Sequence, residues 1–389
     1  MRFFGRLGVV FAGLVLASCS SPTGSPPAYP TPILAAPPPR PLATQAASSG
    51  AAPTIAYGDA AAFRAQLDSF IDAHGSEWGP AHAFHGYVLV LDGGEVLYER
   101  ALAPADPARK APFTRDTRFR IGSVTKTFTA AAVLALEEDG KLSVSDPVRK
   151  HLPDLPAAWD AVTLHHLLSH TSGIASYTND EALMKRRDKK ATPAEVLATV
   201  RDKPLRFEPG GGYEYSNSNY FLLGLVAEKA SGKPWGTLLQ ERVTSKLGLT
   251  KTSPVDAGGD AAVGTTADEL GLLTTAGPID LSIPFAAGAL RSTPSDLMAF
   301  RKLFTTDAVL GAAARAKMVT PHRNDYGYGV IAIPGPEPVY AHTGGIDGFS
   351  SMFAVVPSRD AAVVVLCDSD GGRAPSLANA ALQLLLEGS

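Results

Sequence analysis

Apolar residues recur along this chain with two different periods, and the change between them divides it into parts. Near the beginning, DAAAFRAQLDSFIDAHG has helical spacing. FHGYVLVLDGGEVLYERAL then shows two β-branched and aromatic runs around Asp92-Gly93-Gly94, the signature of a hairpin. Residues 128–136 are apolar on nearly every face, which predicts a buried helix. The long middle section reads as mainly helical. Its start signals are Thr163 before LHHLLSH, the TPAE box at Thr192–Glu195 and TPSD at Thr293–Asp296; Gly140, Gly232 and Gly248 are stops. Towards the end, YGYGVIAI, PVYAHTGG, GFSSMFAVVP and AAVVVLCD form short strands separated by turn residues, followed by a helix from about Ala374. Strands at both ends around a helical middle predict an α+β fold: one antiparallel sheet assembled from both chain ends, flanked by helices, with a mainly helical subdomain inserted.

The first residues follow neither period. Arg2 and Arg6 precede an apolar stretch from Leu7 to about Ala17, too short to stay in a membrane as a mature span, so residues 1–18 read as a secretory signal. The stretch ends in LASC, similar to the lipobox of bacterial lipoproteins. That resemblance implies a lipid on Cys19, export, and a lipid anchor in a bacterial membrane with the protein facing the periplasm or the cell exterior. Residues 19–55 are rich in Pro, Ala and Ser and cannot bury enough apolar surface to fold; they read as a disordered tether. Residues 56–389 then form one catalytic-sized unit without an internal repeat or a second linker.

Composition narrows the function classes. Of 389 residues 45% are hydrophobic and 19% charged, enough apolar content for a large core, and the net charge of −3 gives no reason to expect a nucleic-acid partner. The two cysteines are Cys19 and Cys367, so lipidation of the first leaves no disulfide to form, and Cys367 within AAVVVLCD reads as a small buried hydrophobe. A monomer is expected.

Three short segments carry the candidate chemistry. In FRIGSVTKTF, Gly122 admits the chain tightly to the buried helix, and Ser123 and Lys126, three residues apart, share one helix face. A buried lysine is costly while charged unless it gains partners or loses its proton, and a lysine able to share a proton is what a serine nucleophile needs. In FEPGGGYEYSNSNYFLLGLVAEKASG a glycine-rich loop leads through Tyr215-Ser216-Asn217 into a helix. Residues two apart in an extended loop point the same way, so a phenol and an amide face one cleft. Tyr177-Thr178-Asn179 repeats the spacing without the glycines or the patterned helix, and Tyr215 is preferred over it. The third segment, His342-Thr343-Gly344-Gly345, ends a strand. Thr343 offers a hydroxyl there, and the glycines let substrate approach backbone N–H groups that can stabilise an oxyanion.

In this order the segments resemble the Ser-x-x-Lys, Ser-Asp-Asn and Lys-Thr-Gly set of serine β-lactamases and D-alanyl-D-alanine carboxypeptidases. Tyr-Ser-Asn and His-Thr-Gly replace the second and third elements, as in the class C-like carboxypeptidase and esterase branch, and LHHLLSHTSGI and GALRSTPSDLMAF look like that branch's structural signatures. The resemblance implies a β-lactamase/transpeptidase-like fold and an acyl-enzyme mechanism. Ser123 is then the nucleophile, with Lys126 and Tyr215 sharing acid–base work and Lys126 lowering the pKa of Tyr215. Asn217, His342 and Thr343 position substrate, and the backbone N–H groups of Ser123 and Gly345 form the oxyanion hole. The expected substrate is a small molecule or a peptidoglycan peptide, with D-alanyl-D-alanine carboxypeptidase-like action first and an esterase or weak class C-like β-lactamase as alternatives. Gly345 stands where relatives carry a hydroxyl residue, and His342 replaces a permanent cation; both point away from an efficient β-lactamase. With a usual pKa near 6.5, His342 would gain charge towards pH 5.5, so any grip on a substrate carboxylate should depend on pH.

Other chemistries are disfavoured. His165, His166 and His170 lack the acidic partner of a zinc-protease pattern, so no metal is expected. GYGVIA lies in a strand pattern without a following helix, and neither a Gly-x-Ser-x-Gly elbow nor a phosphate-binding loop is present, so no cofactor is expected. A non-catalytic penicillin- or wall-binding lipoprotein of the same fold is the alternative from a different class, and intact Ser123, Lys126 and Tyr215 argue against it.

Overall fold

The computed structural model describes residues 60–77 and 83–387, apart from 105, 107, 110, 255–259, 269–271 and 371–372. The signal segment, Cys19 and the tether lie outside the described residues.

Six strands form one antiparallel sheet drawn from both ends of the chain. They are β1 (Gly86–Asp92), β2 (Glu95–Ala101), β3 (Ile331–Ile333), β4 (Val339–Ile346), β5 (Phe349–Val356) and β6 (Ala361–Cys367), in the order β2-β1-β6-β5-β4-β3. The first and last strands of this sheet are neighbours within it, β1 pairing with β6 from Gly86↔Cys367 to Leu91↔Ala362. The β1–β2 turn uses Gly93 and Gly94 with φ of 57° and 78°, the left-handed pair that a two-residue hairpin requires.

Helices cover both faces, which is why β1, β5 and β6 read as apolar runs without polar alternation. Side chains still alternate. Val88, Val90, Val363, Val365 and Cys367 pack against the first helix, α1 (Ala60–Glu77), and a C-terminal helix, Arg373–Glu387. Leu89, Leu91, Val364, Leu366 and Phe353 face the inserted helical part. Its central elements are α2 (Thr125–Glu138), α3 (Leu164–Leu168) and α4 (Asn217–Ser231). Start and stop signals act as the sequence suggests: Thr163, Thr192 and Thr293 each accept from the backbone N–H three residues on, and Gly140, Gly232 and Gly248 are all left-handed. The run YGYGVIAI departs from expectation, since only Ile331–Ile333 is strand and Gly329 turns at φ 67°.

The inserted part and the sheet meet at one very close approach. Ser123 sits in a single 3-10 turn, Gly122–Val124, just ahead of α2. The turn packs against β4 so tightly that a Cβ on Gly344 would lie 2.0 Å from the Ile121 carbonyl oxygen, and one on Gly122 (φ 46°) 2.8 Å from that of Gly345. Ser351 on β5 closes the junction by donating to the Ile121 carbonyl at 2.9 Å. Gly344→Ala is therefore expected to lower stability by about 3 kcal/mol, the upper end for overpacking against backbone. Thermal unfolding of the variant beside wild type checks this, and an unchanged midpoint would show that the junction is looser than described.

Candidate active site

Three neutral oxygens surround the amine of Lys126, a residue with 0% exposure. Nζ is 2.9 Å from Ser123 Oγ, 2.8 Å from Asn217 Oδ1 and 2.8 Å from the Ala287 carbonyl oxygen. An ammonium has three N–H donors, so the charged form is fully used. In the neutral form two N–H groups keep Asn217 and Ala287, and the lone pair faces the Ser123 hydroxyl. Proton exchange between Lys126 and Ser123 thus needs no movement of the side chain. The rings of Tyr215 and Tyr220 add apolar walls with favourable faces, their centroids 4.8 and 5.7 Å from Nζ.

The helix carrying the lysine is tied down over its first turn. Thr125 Oγ1 accepts from the Leu290 N–H at 3.1 Å, while Thr127 and Thr129 donate to the carbonyls of Gly329 and Ala286 at 2.7 and 2.8 Å. Asn217 is held as firmly: its N–H donates to Ser176 Oγ at 3.1 Å and its Nδ2 to Thr178 Oγ1 at 3.2 Å. The Tyr215-Ser216-Asn217 segment is less uniform than an extended loop, because Ser216 is the N-cap of α4 and Asn217 its first residue.

Ser123 opens into a cavity of about 360 Å³ lined by Tyr177, Thr178, Met184, Asn217, Ile283 and Gly345 among others. Several expected residues meet here: Ser123, Asn217 and Gly345 all line it, and Lys126 lies directly behind Ser123. Tyr215 stands against Lys126 and is not a lining residue. Tyr177 and Thr178, which sequence reasoning set aside, line the same wall, since Thr178 receives the Asn217 amide.

His342 requires a correction. It is 1% exposed, one ring nitrogen 2.9 Å from the Tyr326 hydroxyl and the other 2.6 Å from the Thr343 carbonyl oxygen, and it does not line the cavity. Burial pushes its pKa down to about 3 and the charge of Lys126 adds to this, against the hydrogen bond to Thr343. Both its burial and that direction argue against a charge on His342 with which to hold a carboxylate. His170 is likewise buried and held well below its usual value, first by burial and then by Lys126. Among the described residues no group of His, Cys, Asp or Glu could hold a metal ion.

Sequence reasoning missed Ala287, Asp347 and Asp370. Ala287 acts through its carbonyl, which leaves no side-chain signal. Asp347 follows the glycine pair in HTGGIDG and could have been noticed; Asp370, beyond β6, reaches the cavity only through the fold. Both acids line the cavity. Arg187 pairs with Asp347 through Nε, and Asp370 has its pKa raised by burial, with the Asp347 charge contributing.

A Ser-x-x-Lys pair at the junction of a six-stranded antiparallel sheet and an inserted helical part defines the fold of penicillin-binding proteins and serine β-lactamases. The chain belongs to the Beta-lactamase family, whose profile matches residues 63–387. Penicillin-binding protein 4* of Bacillus subtilis (strain 168) is 30% identical to it over 298 residues, covering 70% of this chain and 66% of that protein. Esterase EstB of Burkholderia gladioli is 35% identical over 213 residues, 51% of this chain and 53% of the esterase. The chain thus spans between half and two thirds of the length of these two relatives. Among solved structures, the octameric penicillin-binding protein homologue from Pyrococcus abyssi superposes with a TM-score of 0.74 at 30% identity, covering 83% of this chain and 77% of that one.

The buried histidines make stability depend on pH with a definite sign. Their folded pKa values lie below the unfolded value near 6.5, so below that pH the unfolded chain binds more protons and stability falls as pH falls. For His342 the loss runs from about 6.5 down to about 3, at roughly 1.4 kcal/mol per pH unit. The melting midpoint is expected to drop between pH 7 and pH 5, before the carboxylates titrate, and His342→Gln to make that drop shallower. An identical slope in wild type and variant would mean that His342 is protonated in the fold.

Proposed function

We propose that the protein is a serine hydrolase that forms an acyl-enzyme at Ser123 and acts on uncharged esters or amides. The contact of 2.9 Å between Lys126 Nζ and Ser123 Oγ at the wall of the cavity carries this reading. As Ser123 Oγ bonds to the substrate carbonyl carbon, its proton passes to neutral Lys126, and the carbonyl electron pair becomes the oxyanion. The backbone N–H groups of Ser123 and Gly345 are the donors assigned to it. Collapse re-forms the carbonyl and expels the alcohol or amine, which takes the proton back from Lys126, with Tyr215 as the second acid–base group beside that amine. Water then repeats the sequence on the acyl-enzyme and frees Ser123.

The charge of the cavity supports substrates without a carboxylate. Its described ionisable lining residues, apart from Tyr177, are Asp347 and Asp370. Arg187 reaches Asp347 but is not itself a lining residue. A carboxylate-terminated peptide would meet like charge there, and His342 stays neutral. The D-alanyl-D-alanine carboxypeptidase reading remains second, favoured by the likeness to penicillin-binding protein 4*. The esterase reading gains from the 35% identity to EstB.

Acylation separates the readings. Intact-mass measurement after exposure to an activated neutral ester should show one acyl group on wild type and none on Ser123→Ala. The neutral ester should acylate faster than a penicillin or a D-alanyl-D-alanine peptide. Asp370→Asn should raise the relative rate of the carboxylated substrates by about fivefold, equivalent to removing about 1 kcal/mol of like-charge repulsion. Carboxylated substrates that outpace the ester on wild type would restore the carboxypeptidase reading.

The membrane anchor is a separate proposal that rests on the LASC segment ending at Cys19. Cys19→Ala should abolish incorporation of labelled fatty acid and release the protein from the membrane fraction; unchanged fractionation would refute it.

A further inference from the structure

LHHLLSHTSGI contains a histidine that no step of the proposed chemistry uses. His170 lies in the turn after α3 with φ 57°, fully buried. Three consecutive residues of the catalytic loop touch it. Its carbonyl oxygen accepts the Glu214 N–H at 3.1 Å, its ring centroid is 4.3 Å from that of Tyr215, and its Nδ1 accepts the Ser216 N–H at 3.2 Å. Asn219, in the first turn of α4, brings Nδ2 to the same Nδ1 at 3.1 Å. The orientation of that amide is set because Asn219 Oδ1 accepts from Ser172 Oγ at 2.7 Å.

Two donors on Nδ1 make it the unprotonated nitrogen and leave the proton on Nε2. Protonating Nδ1 would set a third N–H against them. Nε2 is buried without a hydrogen-bond partner, in a cage of Tyr213, Tyr215, Tyr220 and Tyr326 rings. Lys126 and His342 are the other ionisable neighbours, and the charge of the lysine opposes a second proton on His170. An unmet buried N–H is unfavourable, and an apolar residue at this position would avoid it. What the imidazole provides in return is the grip of Nδ1 on the loop that carries Tyr215 and starts the helix at Asn217.

We propose that His170 is a positioning residue for the reaction: as a neutral imidazole it holds Tyr215 and the first turn of α4, with Asn217, in register with Lys126. The inference rests on the serine-hydrolase reading. It predicts that loss of the imidazole disturbs proton transfer more than substrate binding, because His170 does not line the cavity.

The test uses the full chain with His170→Asn and His170→Leu. Asparagine tolerates the left-handed backbone and can place Oδ1 near the position of Nδ1, whereas leucine removes the acceptor and is strained there. With an activated neutral ester, His170→Asn should lower kcat about tenfold with KM within about threefold of wild type, and move the acid limb of the kcat–pH profile by about half a unit or more. His170→Leu should lose about a hundredfold or more in kcat, so that asparagine counts as partial rescue. Melting midpoints establish that each variant is folded, and if leucine does not fold the asparagine variant decides alone. A folded His170→Asn with unchanged kcat and acid limb, or with a change in KM alone, overturns the role. Labelling of wild-type Ser123 by a fluorophosphonate separates the two levels. A labelled wild type with an unaffected variant removes only the role of His170, while an unlabelled and inactive wild type removes the hydrolase reading and this inference with it.

Discussion

The contact between a fully buried lysine and the serine in front of it sets the terms for the rest of the molecule. Taking an ammonium out of water costs several kcal/mol after relaxation, and the cost is met only if each N–H finds a partner. Here the partners come from three distant parts of the chain: the turn at Ser123, the start of α4 at Asn217 and the carbonyl of Ala287. None can move without stranding a donor. The threonine ladder along α2 has the same logic, anchoring the helix to the backbone at Leu290, Gly329 and Ala286. In its charged form the lysine also acts outward, adding to burial in opposing protonation of His170 and His342.

Access to that serine depends on the absence of side chains. Gly122 and Gly344 let the 3-10 turn approach β4 to within distances that no Cβ would permit. This approach brings the backbone at Gly122 next to that of Gly345, and the cavity is lined by Gly345 and by Ser123, the residue after Gly122. The sheet supplies the rigidity. Its interior strands β1 and β6 are buried on both faces, and β5 links them to β4 through the register Gly344↔Ser351. A reacting carbonyl would be received by main chain mounted on the most buried part of the protein, which is how backbone donors are kept in place without reorganisation.

Charge around the cavity separates the shared chemistry from the choice of substrate. In the proposed reading Ser123 and Lys126 carry the acyl transfer, while Asp347 and Asp370, which line the cavity, act on what is bound beside them. In a confined space of low dielectric such charges discriminate more strongly than they would in water.

Much of the fold was legible in the sequence, because its signals are local. The hairpin at Gly93-Gly94, the threonine caps, the left-handed glycine stops and the apolar runs that become covered strands each depend on neighbours a few residues away. The Ser123–Lys126 pair was legible for the same reason, being three residues apart, although Ser123 lies in the 3-10 turn ahead of α2. Tertiary structure decided what long-range contact controls. It placed Tyr177 and Thr178 on the cavity wall with Asn217, brought Asp370 from beyond β6 to the same cavity, and used the Ala287 carbonyl, which has no side-chain signature. It also turned His342 from an expected pH-sensitive binding group into a neutral strand residue, since a histidine's charge follows from how much water and which neighbours surround it. Residue type and spacing determine which groups are available for chemistry; burial, which exists only once the chain has folded, determines which of them face the substrate and in what charge state.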